Sequence, residues 1–153
     1  SLGEAREALM GSLSEGPLLV NYMGHGSVEV WRGEDEVYFF TSGDAEGLRN
    51  GSLPVFVNMT CLNGFFQAPY TDSLAEVLFK AEQGGGVAVW TSSGLTVPNE
   101  QALMNQELMR LLFGTEPMPL GEAVRRAKAA TTDQDVRRTW ILFGDPTTKL
   151  KRY

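Results

Sequence analysis

Four short apolar runs set the limits on what this chain can fold into: Leu18–Met23, Leu53–Met59, Val87–Trp90 and Thr139–Phe143. Each is too short for a buried helix, and unbroken apolar runs of this length suit strands covered on both faces. Between them lie segments with helical spacing. Ala5, Leu9 and Leu13 repeat across residues 3–13 until Ser14-Glu15-Gly16-Pro17 breaks the pattern. Ser42 caps a short helix over Asp44–Leu48, which Asn50-Gly51 ends. Ser73 opens an amphipathic helix through about Glu82, stopped by Gly84-Gly85-Gly86. Asn99 caps a helix running to about Phe113, and Leu120–Ala130 follows Pro117 and Pro119. Two extended pieces, Val28–Trp31 and Val37–Phe40, flank the polar turn Arg32–Glu36. Buried strands alternating with helices predict an α/β fold, with a mainly parallel sheet, helices on both faces and right-handed crossovers.

In such sheets ligands collect beyond the carboxyl ends of the strands. His25, Cys61 and the loop Thr91–Thr96 all fall there. The chain has one Cys and one His, so an internal disulfide is excluded and a Cys/His metal site lacks ligands. With 13 Lys and Arg against 19 Asp and Glu, and basic residues clustered only at Arg125–Lys128 and Lys149–Arg152, nucleic acid is not an expected partner. No apolar stretch reaches the roughly 18–20 residues that span a bilayer. The start, Ser1-Leu2-Gly3-Glu4, has no signal pattern, and Ser in place of Met suggests a fragment or a processed product. The 153 residues are the size of one domain, and 42% hydrophobic content suffices for a core.

Gly24-His25-Gly26-Ser27 sets a histidine between glycines, which suits a backbone that turns sharply and approaches a ligand closely, and equally suits a surface turn. In Asn58-Met59-Thr60-Cys61-Leu62-Asn63-Gly64 a cysteine leaves a strand and meets Asn-Gly, a turn pair. A packing cysteine would sit more naturally within Val55–Val57; at the strand end an imidazole could activate it. Asp145 in Gly144-Asp145-Pro146 reads as turn chemistry before catalysis, and Leu103, Leu108 and Leu111 with Met104 and Met109 read as helix packing. Gly84-Gly85-Gly86 precedes a strand instead of opening a helix, so it does not fit a phosphate loop.

Taken together, Asn21-Tyr22-Met23-Gly24-His25-Gly26-Ser27 with Trp31 resembles the catalytic-histidine segment of the gingipain family of cysteine peptidases (family C25). Leu53-Pro54-Val55-Phe56 followed by Cys61-Leu62-Asn63-Gly64-Phe65-Phe66 is similar to that family's nucleophile segment. Val87–Ser93 and Thr139–Pro146 match in type and order, so the resemblance runs from about Leu18 to Leu150. It implies a caspase-like three-layer αβα sandwich. The chain, taken as one domain over 1–153, would be the C-terminal part of such a catalytic domain, without the portion preceding the histidine strand.

The same resemblance implies a bacterial, secreted or surface-located cysteine endopeptidase acting on polypeptides. Cys61 would be the nucleophile and His25 its partner, with the backbone N–H groups of Gly26 and Cys61 as oxyanion donors. Ser92, Ser93, Gly94 and Leu95 would line the pocket for the residue before the cut. No cofactor is required; calcium sites occur in relatives, but no loop here has convincing ligand spacing. The missing upstream part of the domain is an expected partner, and Glu29 is a speculative acidic partner for His25. Two other readings stand beside this one: a catalytically silent peptidase-like domain that binds peptides or serves a larger exported protein, and a flavodoxin-like receiver or small-molecule binder.

Overall fold

The main sheet has the strand order β1-β5-β6-β7 in a computed structural model that describes residues 1–33 and 37–151. These strands are β1 (Leu19–Met23), β5 (Val55–Met59), β6 (Ala88–Ser92) and β7 (Trp140–Gly144). The first three are parallel, as the alternation with helices predicts. β7 runs antiparallel to β6, pairing Ser92 with Trp140 and Ala88 with Gly144. A second, antiparallel sheet has the order β2-β3-β4, from β2 (His25–Ser27), β3 (Val30–Arg32) and β4 (Tyr38–Thr41).

The helices are α1 (Leu2–Glu15), α2 (Ser42–Glu46), α3 (Leu74–Lys80), α4 (Pro98–Leu112), α5 (Leu120–Lys128) and α6 (Gln134–Thr139). Side chains alternate across the two faces of the central strands. Val55, Val57 and Met59 of β5 and Ala88 and Trp90 of β6 pack with Met104 and Leu108 of α4 and Ala123 and Ala127 of α5. Phe56 and Val89 face the other way, toward Leu13 of α1, Leu74 and Leu78 of α3, and Trp31 and Phe40 of the small sheet. The sheet therefore lies between two layers, as expected. Arg6 of α1 holds Asp44 of α2 through its two terminal guanidinium nitrogens, tying together two elements of one outer layer.

Several local expectations change. Gly24–Ser27 is not a plain turn, because His25–Ser27 forms a strand against β3, and the first extended piece, expected from Val28, begins at Val30. The first helical cap after β4 is Thr41, whose hydroxyl and N–H both engage Asp44, so Ser42 is already inside the helix. α4 starts at Pro98, whose missing N–H costs nothing there, and Asn99 is not its cap. Thr91 and Ser92 belong to β6, and α6, with Val136 as its one buried residue, leaves no apolar period to read. Of the turn Arg32–Glu36, residues 34–36 lie outside the described residues.

Candidate active site

β1 and β5 are neighbours in register, Leu19 opposite Val55 and Met23 opposite Met59, so both end at the same level. His25 is the second residue after β1, and Cys61 is the second after β5. The chain after β1 stays close to its neighbour: the Gly24 N–H donates to the Met59 carbonyl at 3.3 Å. Two residues further, a Cβ on Gly26 would stand 2.4 Å from Thr60 Oγ1 and 3.0 Å from the Val30 carbonyl oxygen. The Gly-His-Gly segment thus lies against the residue that precedes Cys61. His25 is exposed and Cys61 half-buried.

This closeness changes the reason for a glycine at 26. The contact that excludes a side chain is with Thr60, whatever a substrate does. Gly26→Ala is therefore expected to lower stability by about 1–3 kcal/mol through overpacking, read as a fall in Tm, with part of the loss recovered in a Thr60→Ala background. An unchanged Tm would mean that the hairpin shifts freely away from Thr60.

Val28-Glu29 is the two-residue turn joining β2 to β3, so Ser27 and Val30 close the hairpin as a hydrogen-bonded pair. Antiparallel ladders alternate hydrogen-bonded and non-hydrogen-bonded pairs. Gly26, opposite Trp31, falls in the second kind, and its N–H points out of the ladder.

At the His25 end, the Tyr22 hydroxyl reaches the His25 carbonyl at 2.7 Å and the Arg32 carbonyl at 3.0 Å. Its ring stacks on Trp31, centroids 4.3 Å apart. Burial pushes the Tyr22 phenol up to about 12, so it stays a donor throughout the physiological range. A raised folded-state pKa gives stability that is present below the unfolded value near 10 and is lost as pH rises through about 12. Tyr22→Phe is accordingly expected to flatten the alkaline fall of Tm between those two values, while lowering Tm at neutral pH by removing the hydroxyl contacts. Parallel alkaline melting profiles for the two proteins would sink this assignment.

The turn carrying Cys61 is shaped by Leu62, the one non-glycine residue with positive φ among those described, at 62°. The sequence marks Asn63-Gly64 as the turn pair, yet the left-handed conformation falls one residue earlier. The Leu62 N–H donates to the Gly94 carbonyl at 3.1 Å and the Gly64 N–H to Ser92 at 2.9 Å. The loop after β6 therefore lies beside the cysteine, and Cys61 Sγ sits 3.6 Å from the Thr96 carbonyl oxygen.

A family model described as Peptidase family C25 matches residues 1–151. The chain belongs to that family. Its fold is shared with the crystal structure of the Arg-specific cysteine proteinase gingipain R (RgpB), at a TM-score of 0.83 and 24% identity, over 95% of this chain and 36% of that one. A complex of the pro- and mature domains of Porphyromonas gingivalis RgpB matches at 0.80 and 24%, over 93% and 36%. The structure of another protease matches at 0.79 and 16%, over 93% and 37%. The chain thus spans little more than a third of the length of these structures, and the α/β, caspase-like expectation agrees with them. No curated protein matches the chain.

Within this C25 chain the other singled-out residues separate clearly. Ser92 and Ser93 are buried; Ser92 Oγ donates to the Gly94 carbonyl and Ser93 Oγ to that of Thr139. Their hydroxyls build the loop from within, Gly94 is half-buried, and Leu95, 76% exposed, is the side chain turned outward. Asp145 follows β7 at the opposite end of the sheet, since Gly144 pairs with Ala88 at the start of β6. Its carboxylate accepts from the Thr147 N–H and hydroxyl, bonds that hold it below its usual range and make it a turn residue. Glu29 is occupied by the Thr71 hydroxyl at 2.9 Å. Among the described residues no group of three or more His, Cys, Asp and Glu is placed to hold a metal, and no helix is long and apolar enough to cross a membrane.

Proposed function

We propose that this chain carries the nucleophile and its histidine for a cysteine endopeptidase, Cys61 and His25, and acts on polypeptides by an acyl-enzyme route. The observation that carries the reading is the matched ending of β1 and β5, two residues before His25 and Cys61 respectively. Membership of a cysteine peptidase family supplies the reaction class.

In this reading the Cys61 thiol passes its proton to the His25 imidazole, and sulfur attacks the peptide carbonyl carbon. His25 then delivers the proton to the departing amine as the C–N bond breaks, leaving a thioester. Water, deprotonated by His25, cleaves the thioester and restores the thiol. Negative charge on the carbonyl oxygen is met by the N–H of Cys61 and that of Gly26, which the hairpin leaves outside its own ladder. Gly94 and Leu95 border the site and form part of the pocket for the residue before the cut, shaped by Ser92 and Ser93 beneath. Secretion or surface location, and completion of the domain by a preceding segment, belong to the same proposal.

The test is intact-mass measurement after incubating the protein with a panel of peptidyl acyloxymethyl ketones. One adduct is expected, absent in Cys61→Ala and formed slowly in His25→Ala. No adduct on the intact protein would leave a peptide-binding or structural domain of peptidase descent.

A further inference from the structure

β2, which carries His25, has three residues and lies at the edge of the small sheet, paired on one side to β3. A ladder with a single neighbour does not fix where such a strand stands relative to Cys61, which belongs to a different sheet. Something outside the ladder must do so: Tyr22 holds the His25 end, and one side chain makes the connection at the Ser27 end. Asn63, two residues after Cys61, is fully buried. Its Nδ2 donates to the Ser27 carbonyl at 2.5 Å and to the Val30 carbonyl at 3.1 Å, the two residues that close the β2–β3 hairpin. Its Oδ1 accepts from Trp31 Nε1 at 2.8 Å and, more distantly, from Asn58 Nδ2 of β5 at 3.4 Å. An amide has two N–H donors and two acceptor lone pairs; all are matched here.

We propose that Asn63 is a positioning residue that sets the distance between His25 and Cys61; this rests on the dyad reading given above. The residue sits on the same turn as the nucleophile and bonds to both strands of the hairpin that bears the histidine. Its own backbone is held independently, because the Asn63 carbonyl accepts from Ala75 of α3 at 2.9 Å and the next N–H, that of Gly64, bonds to Ser92. The side chain is therefore anchored to the body of the domain and reaches out to the hairpin. Aspartate has the shape but no donors for the two carbonyls, and glutamine is one methylene too long to keep these four bonds from a fully buried position. Tyr22 grips the other end of β2 through the His25 carbonyl, so loss of Asn63 frees the Ser27 end and lets the histidine pivot.

A residue that acts through His25 loses its effect once His25 is gone, whereas a residue that merely stabilises the fold does not. The experiment is a double-mutant cycle on the second-order rate of Cys61 labelling by the peptidyl acyloxymethyl ketone that labels the wild type fastest, with Tm recorded for each protein. Asn63→Ala is expected to slow labelling about 10- to 100-fold, the scale of an ångström of misplacement. In a His25→Ala background the same substitution is expected to change the rate by less than about twofold. An unchanged rate in Asn63→Ala, or an equal factor in both backgrounds, overturns the proposal. If Asn63→Ala does not fold, Trp31→Phe, which keeps an aromatic ring and removes the donor to Oδ1, takes its place in the cycle. The expected loss is then about fivefold, again confined to proteins that retain His25. Failure of the dyad reading is visible separately, as a His25→Ala protein that labels at the wild-type rate.

Discussion

Cys61→Ser is expected to lower kcat for peptide cleavage by at least about 10,000-fold, in line with removal of a catalytic nucleophile, while moving Tm by no more than about 2 °C. The two halves of this expectation come from different features of the site. Cys61 is half-buried, and its sulfur makes a weak 3.6 Å contact with the Thr96 carbonyl that a hydroxyl can also donate to. Little packing is lost with the sulfur. A serine hydroxyl, by contrast, is a far weaker nucleophile than a thiolate, and a site arranged to transfer a thiol proton does not activate it. Steady-state cleavage of the best-labelled peptide, together with a thermal melt, reads both quantities. A serine variant that cleaves within tenfold of wild type would remove Cys61 from the chemistry. A Tm drop of several degrees with activity retained would instead make it a core residue, the ordinary role of a lone cysteine.

How far the sequence displays this site depends on what each residue does. The four main strands are visible because unbroken apolar runs such as Val55–Val57 follow directly from burial on both faces. The histidine and cysteine are visible because each follows such a run. β2 is not, since His25-Gly26-Ser27 has neither apolar alternation nor β-branched residues, and it forms only because β3 and the Tyr22 and Asn63 side chains hold it. Asn63 itself looks like half of a turn pair. Its burial and its bonds to residues more than 30 positions away depend on tertiary contacts that no local spacing encodes. Likewise, Ser92 and Ser93 look like exposed loop hydroxyls, but β6 extends through Ser92 and turns both groups onto neighbouring backbone. The direction of β7 was equally hidden, because an apolar run of five residues packs as well antiparallel as parallel.

Trp31→Ala should cost about 3–5 kcal/mol, the range for truncating a buried tryptophan, and lower Tm by roughly 6–20 °C for a domain of this size. Trp31 is 1% exposed and lies where the two sheets meet. Tyr22 of β1 stacks on it nearly parallel, at an interplanar angle of 4°, Phe40 of β4 leans against it with centroids 4.9 Å apart, and Phe56 of β5 lies at 6.4 Å. These neighbours come from three different strands of two sheets, so no single element can shift to fill the space an alanine leaves. The loss is compounded because Asn63 Oδ1 loses its shorter hydrogen bond inside the core and keeps only the 3.4 Å contact with Asn58, and an under-satisfied buried acceptor carries its own penalty. Urea unfolding followed by tyrosine and far-ultraviolet signals gives the free energy directly, with Trp31→Phe as the partner measurement that keeps the ring and removes only the donor. Losing less than about 1 kcal/mol in Trp31→Ala would mean that the small sheet collapses onto β1 without its central side chain. The position of the histidine strand would then be set by backbone contacts such as Gly24 to Met59 and not by this aromatic joint.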